Sequence, residues 1–174
     1  MKKVKGSFSY CLKIFGKIFH GNKLSIGRSF YLSKNTIFNI QNNGVIKIGK
    51  NLITRNNINF LADGGHLKIG DDVFFNNNCS ITSCGSIEIG NCSSFGPNVV
   101  IVDHDHDYKQ QSNASLIKSP VKIGENVWVG ANVVILRGSI IGNGCVVGAN
   151  TIVKGNIPDN TIIYNNTNLI MKKI

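Results

Sequence analysis

A period of six runs through the second half of this chain, and few folds can carry one. Aliphatic residues stand at Ile123, Val129, Ile135, Ile141, Val147 and Val153, six positions apart each time. Glycine follows four of them, at Gly124, Gly130, Gly142 and Gly148, while Leu136 and Lys154 take that slot after the other two. An α-helix repeats at about 3.6 residues and a strand at about two, so neither produces a period of six with a fixed glycine. A hexad that supplies one short strand and one corner does. Three hexads then close a triangular coil, the aliphatic side chain points into the prism, and it stacks on its equivalent one coil away. Small or polar residues such as Ala131, Ala149 and Asn132 fill the corner slots. Such a stack is a solenoid, stabilised by contacts between neighbouring coils.

The same Ile-Gly pair occurs earlier, at Ile26-Gly27, Ile48-Gly49, Ile69-Gly70 and Ile89-Gly90, with separations of 22, 21 and 20 residues. Against a coil of three hexads, those spacings predict corner insertions of four, three and two residues. From Ile89 to Ile123 the gap is 34 residues, one coil plus 16 more, and the excess lies in VDHDHDYKQQSNASLIKSP. A regular scaffold that extrudes one long polar loop is expected to do so for function. The predicted organisation is therefore residues 1–20 ahead of the repeats, a solenoid over 21–160 with its loop at about 103–120, and a basic tail over 161–174. Within the first segment Val4, Phe8, Cys11, Phe15 and Ile18 recur at intervals of four and three, and Lys2, Lys5, Lys13 and Lys17 mostly lie off that stripe. That pattern predicts a short amphipathic N-terminal helix. Its stripe either packs on the first coil or another subunit, or rests on an anionic membrane surface.

The chain has 19 Lys and Arg against 9 Asp and Glu, a formal charge of +10. Such an excess suits an anionic partner such as a phosphate-bearing ligand or a membrane face, as well as plain solubility. No nucleic-acid-binding module is present in the pattern, so no nucleic acid is expected. Cys11, Cys79, Cys84, Cys92 and Cys145 are odd in number and show no C-x-x-C spacing. They read as reduced residues of a cytoplasmic protein. No apolar run reaches the roughly 20 residues of a transmembrane helix.

Two of the four histidines, His104 and His106, stand in DHDH where the repeat meets the loop; His20 and His66 are the others. An imidazole with an ordinary pKa of about 6.5 is the natural general base at neutral pH. Asp103 and Asp105 are placed to orient it or to meet a substrate. Trp128, the only tryptophan, lies in the first regular hexads after the loop.

The stretch IGENVWVGANVVILRGSIIGNGCVVGANTIVKGNIPDN resembles the C-terminal coils of the hexapeptide-repeat acyltransferases. It is most similar to the branch that modifies bacterial sugars and surface polysaccharides, and the resemblance spans roughly residues 24–164. It implies a left-handed parallel β-helix, acetyl-CoA as co-substrate, and a homotrimer with active sites between subunits. By the same match a histidine after an apolar strand is the base, which assigns His104 and keeps His106 as its competitor. Trp128 is then close to the thioester, and backbone amides around Gly130 and Ala131 contact it. In FFNNNCSI, Asn78, with Asn76 next, is implied to bind the acceptor; an asparagine ladder at a β-helix corner is the alternative reading. Gly148, Ala149 and Lys154 are implied to line the pantetheine arm, and Lys172 and Lys173 to serve its phosphates. Where relatives continue into a GNPAK turn this chain has YNNTNLI, so its tail departs from the pattern. β-Helix carbonic anhydrases need three histidines at wider spacing, so no metal is expected. The implied reaction is acetyl transfer to a sugar hydroxyl of a surface saccharide or its precursor. Amino-sugar N-acetylation, a non-catalytic scaffold and a metal-dependent hydratase or lyase are the alternatives.

Overall fold

The computed structural model describes residues 21–109, 115–166 and 172. The expected N-terminal helix over 1–20 lies outside these residues, as do Lys173 and half of the expected tail. Among the described residues the regular structure is almost entirely short strands, stacked in parallel as a left-handed β-helix of about six turns.

Three sheets form the faces of the prism. The first face stacks Leu24–Ile26, Val45–Ile48, His66–Ile69, Ser86–Ile89, Val121–Ile123, Ile140–Ile141 and Asn156–Ile157. The second stacks Ile53–Thr54, Phe74–Phe75, Ser94–Phe95, Trp128–Val129, Val146–Val147 and Ile162–Ile163. The third stacks Thr36–Gln41, Ile58–Asp63, Ser80–Ser83, Val100–Val102, Val134–Ile135 and Ile152–Val153. The last strand of the second face, Ile162–Ile163, pairs with Val146–Val147 and so carries the stack beyond the boundary expected at 160.

Register explains the sequence period. On the first face Ile26, Ile48, Ile69, Ile89, Ile123, Ile141 and Ile157 sit on one another in a single column. Thr54, Phe75, Phe95, Val129, Val147 and Ile163 form the column of the second face. Phe38, Phe60, Ile81, Ile101, Ile135 and Val153 form that of the third. From the first column to the second, and from the second to the third, the interval is six in every coil these registers define. From the third back to the first it is ten, nine, eight, twenty-two, six and four. All irregularity, including the long loop, is thus confined to one corner. The inner columns are buried through most of their length, and rings fill the wider early coils: Phe38 stacks on Phe60 at 5.2 Å and Phe75 on Phe95 at 4.6 Å.

The other two corners are regular for different reasons. Between the first and second faces the glycines lie so close to the next coil that a Cβ has no room. A methyl group on Gly124 would stand 2.7 Å from the backbone of Gly142. Between the second and third faces Asn35, Asn57, Asn78, Asn98, Asn132 and Asn150 all adopt left-handed backbone, with φ of 58° to 62°. Asparagine tolerates this conformation better than other side chains. Each amide also donates to the carbonyl oxygen of the next, at 2.9, 3.0, 3.1, 2.9 and 3.1 Å in turn.

Candidate active site at two corners of the prism

The segment expected as an irregular loop leaves the third face after Val102 and returns as an antiparallel hairpin. His104 pairs with Lys118, Asp105 with Ile117 and His106 with Leu116. Its foot is closed by the Ser119 N–H donating to the Asp103 carbonyl at 2.9 Å.

Asp103 anchors this hairpin to the coil before it. The side chain is fully buried. Its Oδ1 accepts from the Cys84 N–H at 2.8 Å, and its Oδ2 from the Ser83 hydroxyl and the Gly85 N–H, both at 2.8 Å. The His104 Nδ1 lies 3.1 Å from Oδ1. An ionised carboxylate only accepts, so this contact places the imidazole proton on Nδ1 and leaves the lone pair on Nε2. His104 is half-buried while His106, at the far end of the strand, is exposed. Asp103, expected to orient the histidine or to meet a substrate, has its carboxylate buried against Ser83–Gly85 and beside the His104 ring.

Asp105 turns the other way. Its Oδ2 accepts from Nε of Arg137, in the coil after the hairpin, and Nη1 of the same guanidinium lies 3.4 Å from the Ser119 hydroxyl. The hairpin root is thus held from the coil below through Asp103 and from the coil above through Asp105. Neither Ser83 nor Arg137 carries a signal in sequence, because each meets the loop only through stacking.

Cys84, Asp103 and His104 bring possible metal-ligating atoms within 4.8 Å of one another. The Asp103 oxygens, however, are already taken by two backbone N–H groups and a hydroxyl, which makes the cluster a hydrogen-bonded anchor. Burial, reinforced by the charges of Asp103 and Asp63, pushes the Cys84 thiol above its ordinary pKa and keeps it neutral.

The remaining expected site residues lie elsewhere. Asn78 belongs to the asparagine ladder, its amide donating to Asn98 and accepting from Asn57. Asn76, two residues earlier, accepts from the Asn77 N–H with its own side chain. Gly130, Ala131, Gly148 and Ala149 occupy the same second-to-third corner in later coils. The N–H groups of Gly130 and Gly148 donate within the stack, to Val147 and Ile163 at 2.8 Å each. Those of Ala131 and Ala149 donate to no acceptor among the described residues. Of the amides expected around Gly130 and Ala131, only the second has no acceptor among the described residues. Trp128 projects from the middle of the second face, 55% exposed, between Ser94 and Val146. Lys154 is exposed at the hairpin's corner, two coils on.

The structure therefore brings His104, Asp103, Asp105 and His106 together at one corner, and the open amides together at another. Four extended residues separate these corners along the third face, a span of about 13 Å at roughly 3.3 Å per residue.

Residues 120–155 match the family described as bacterial transferase hexapeptide (six repeats). With the fold above, the chain is similar to the hexapeptide-repeat transferases over these coils. Among solved structures it is similar to a maltose O-acetyltransferase from Clostridium difficile, with 29% identity and a TM-score of 0.56, covering 87% of this chain and 71% of that one. A point mutant of AntD, an N-acyltransferase from Bacillus cereus in complex with dTDP-4-amino-4,6-dideoxyglucose and coenzyme A, shares the fold at 20% identity and a TM-score of 0.67, covering 92% of this chain and 85% of that one. So does a hexapeptide-repeat acetyltransferase of Vibrio cholerae complexed with acetyl coenzyme A, at 22% identity and 0.59, covering 94% and 75%. A comparison with curated protein sequences finds no significant match.

Proposed function

We propose that this protein transfers an acetyl group from acetyl-CoA to a sugar hydroxyl of a bacterial surface saccharide or its precursor. The observation that carries the reading is the Asp103–His104 pair, with Nδ1 beside a buried carboxylate and the lone pair on Nε2, at the corner where the solenoid breaks its period. Likeness to a maltose O-acetyltransferase supports the acceptor class.

In this reading Nε2 of His104 removes the hydroxyl proton as the acceptor oxygen attacks the thioester carbonyl. The tetrahedral oxyanion is met by a backbone N–H that is fixed before reaction, for which the open Ala131 amide is the candidate. The intermediate collapses, the C–S bond breaks, and the imidazolium returns its proton to the CoA thiolate. No acyl-enzyme forms. Trp128 lies beside the thioester, and Ala149 and Lys154 line the path of the pantetheine arm. Asn76 is retained as an acceptor contact, since its corner holds the open amides.

Because the base and the open amides stand at different corners, one chain supplies half a site from each. A homotrimer that sets one subunit's hairpin against the neighbour's amide corner completes three. Its surface is suited to that: Tyr31, Ile53, Phe74, Ser94, Trp128, Val146 and Ile162 form an outward column on the second face that is apolar but for Ser94. The free cysteines Cys79, Cys84, Cys92 and Cys145 fit a reducing cytoplasm. No helix among the described residues is long and apolar enough to cross a membrane.

The test is thiol release from acetyl-CoA with a panel of sugars and amino sugars, comparing wild type with His104→Ala and His106→Ala. Loss of turnover in His104→Ala supports the assignment, and loss only in His106→Ala moves the base to that residue. Turnover confined to amino sugars makes the enzyme an N-acetyltransferase. Full activity in both variants ends the histidine mechanism, and no turnover with any acceptor leaves a scaffold.

A further inference from the structure

Arg137 makes no hydrogen bond to either histidine, yet its guanidinium ties both strands of the histidine hairpin to the solenoid. Nε donates to Asp105, in the outgoing strand, and Nη1 reaches Ser119, at the foot of the returning strand. Side chains alternate along a strand, so Asp105 faces away from the side that carries His104 and His106. Asp103 already fixes one point of the root from the coil below. A second attachment, from the coil above, removes the rotation that a single anchor allows. Arginine suits this task because its planar fork holds two acceptors in fixed directions, which an ammonium does not.

We propose that Arg137 is a positioning residue for transfer, setting the tilt of the His104–His106 strand through Asp105 and Ser119. This rests on the acetyl-transfer reading given above. The Asp105 and Arg137 side chains keep 46% and 23% of their surface in solvent, so the pair contributes little to global stability. Its effect belongs in kcat, where a misplacement of about 1 Å can cost about 100-fold.

Arg137→Ala, Asp105→Ala, the double variant and Arg137→Lys are compared for kcat, KM for acetyl-CoA, melting temperature and amide hydrogen exchange. In Arg137→Ala kcat is expected to fall between about tenfold and about 100-fold, with KM changed less than about twofold and melting nearly unchanged. Exchange rises in residues 104–118 and nowhere else. Arg137→Lys recovers part of the rate, since an ammonium still pairs with Asp105. The double variant loses no more than the worse single, because both remove one interaction. Unchanged kcat with unchanged hairpin exchange overturns the proposal. So does a fall in kcat matched by a general loss of stability that lysine does not rescue. If wild type transfers no acetyl group to any acceptor, the functional reading falls by itself. The clamp is then judged by exchange alone: faster exchange confined to the hairpin in Arg137→Ala upholds it, and none refutes it.

Discussion

Asp103 is the side chain on which the candidate site most depends, and its chemistry can be tested by one atom pair. Four donors converge on its two oxygens: the N–H groups of Cys84 and Gly85, the Ser83 hydroxyl and the His104 Nδ1–H. In Asp103→Asn an NH2 group must face at least one of those donors. Each buried donor left without an acceptor costs about 1–3 kcal/mol, so thermal unfolding should reveal a clear loss. Ser83→Ala removes one donor and leaves the others paired, and should cost no more than about 1 kcal/mol. Asp103→Asn also unties the tautomer of His104, and acetyl transfer should drop by about 100-fold or more. A variant with normal turnover would show that the orientation of His104 is set by something else. Cys79 offers a second test at this scale. Its Sγ lies 3.2 Å from the carbonyl oxygens of both Asn76 and Gly96, either of which can accept its one proton, and burial pushes its pKa from 9.0 up to about 11 against the pull of the Val99 and Asn98 backbone. The folded pKa lies above the unfolded one, so the protonated thiol's contribution is complete below about pH 9 and is lost as pH rises through about 11. Denaturant titrations of wild type and Cys79→Ala should therefore converge across that window. A gap that stays constant would contradict the shift.

At the scale of the strand and its corner, the asparagine ladder combines a backbone conformation with a hydrogen bond, and two substitutions separate them. Asn132 has a φ of 58° and bonds both to Asn98 and to Asn150. Asn132→Gly keeps the conformation and loses the bonds; Asn132→Ala loses both. Left-handed backbone costs alanine about 1–2 kcal/mol, so the alanine variant should be the less stable by about that amount in urea unfolding. Equal stabilities would mean that the ladder bonds alone matter. Much of this was legible in the chain: the period of six marks the inner columns, because those positions have neighbours on all sides and admit little but aliphatic residues. The early coils were harder to read, since their corner insertions shift the count even though Ile48, Thr54 and Phe60 keep strict sixes. Asn78 shows the limit of a motif, for its place in a polar run beside Cys79 looks the same whether it serves a ligand or a ladder. The hairpin was read as a plain loop because its strands cover no core that would impose alternation on them. Arg137 could not be read at all: it meets Asp105 across 32 residues of sequence, through a coil spacing that only the folded stack supplies.

For the whole molecule, the decisive fact is that the hairpin and the open amides of Ala131 and Ala149 stand at opposite ends of the third face. A prism of this thickness cannot fold back to join them, and its strands cannot slide, because each inner column fixes the register of the next. A transfer site that uses both must be closed by another copy. In the proposed homotrimer, rotational symmetry would set one subunit's His104 against a neighbour's Trp128 and make each site a mixture of two chains. The consequence is measurable without knowing the acceptor in detail. His104→Ala and Trp128→Ala subunits, each inactive alone, are mixed in equal amounts, unfolded and reassembled together. If every site draws one residue from each of two neighbours, about a quarter of the sites regain both native side chains, and acetyl transfer should return to about that share of wild type. If both residues came from the same chain, no mixture of the two variants would restore any site. Activity near zero after verified reassembly would therefore place the whole reaction on a single subunit, and would require the chain to bridge a face about 13 Å wide.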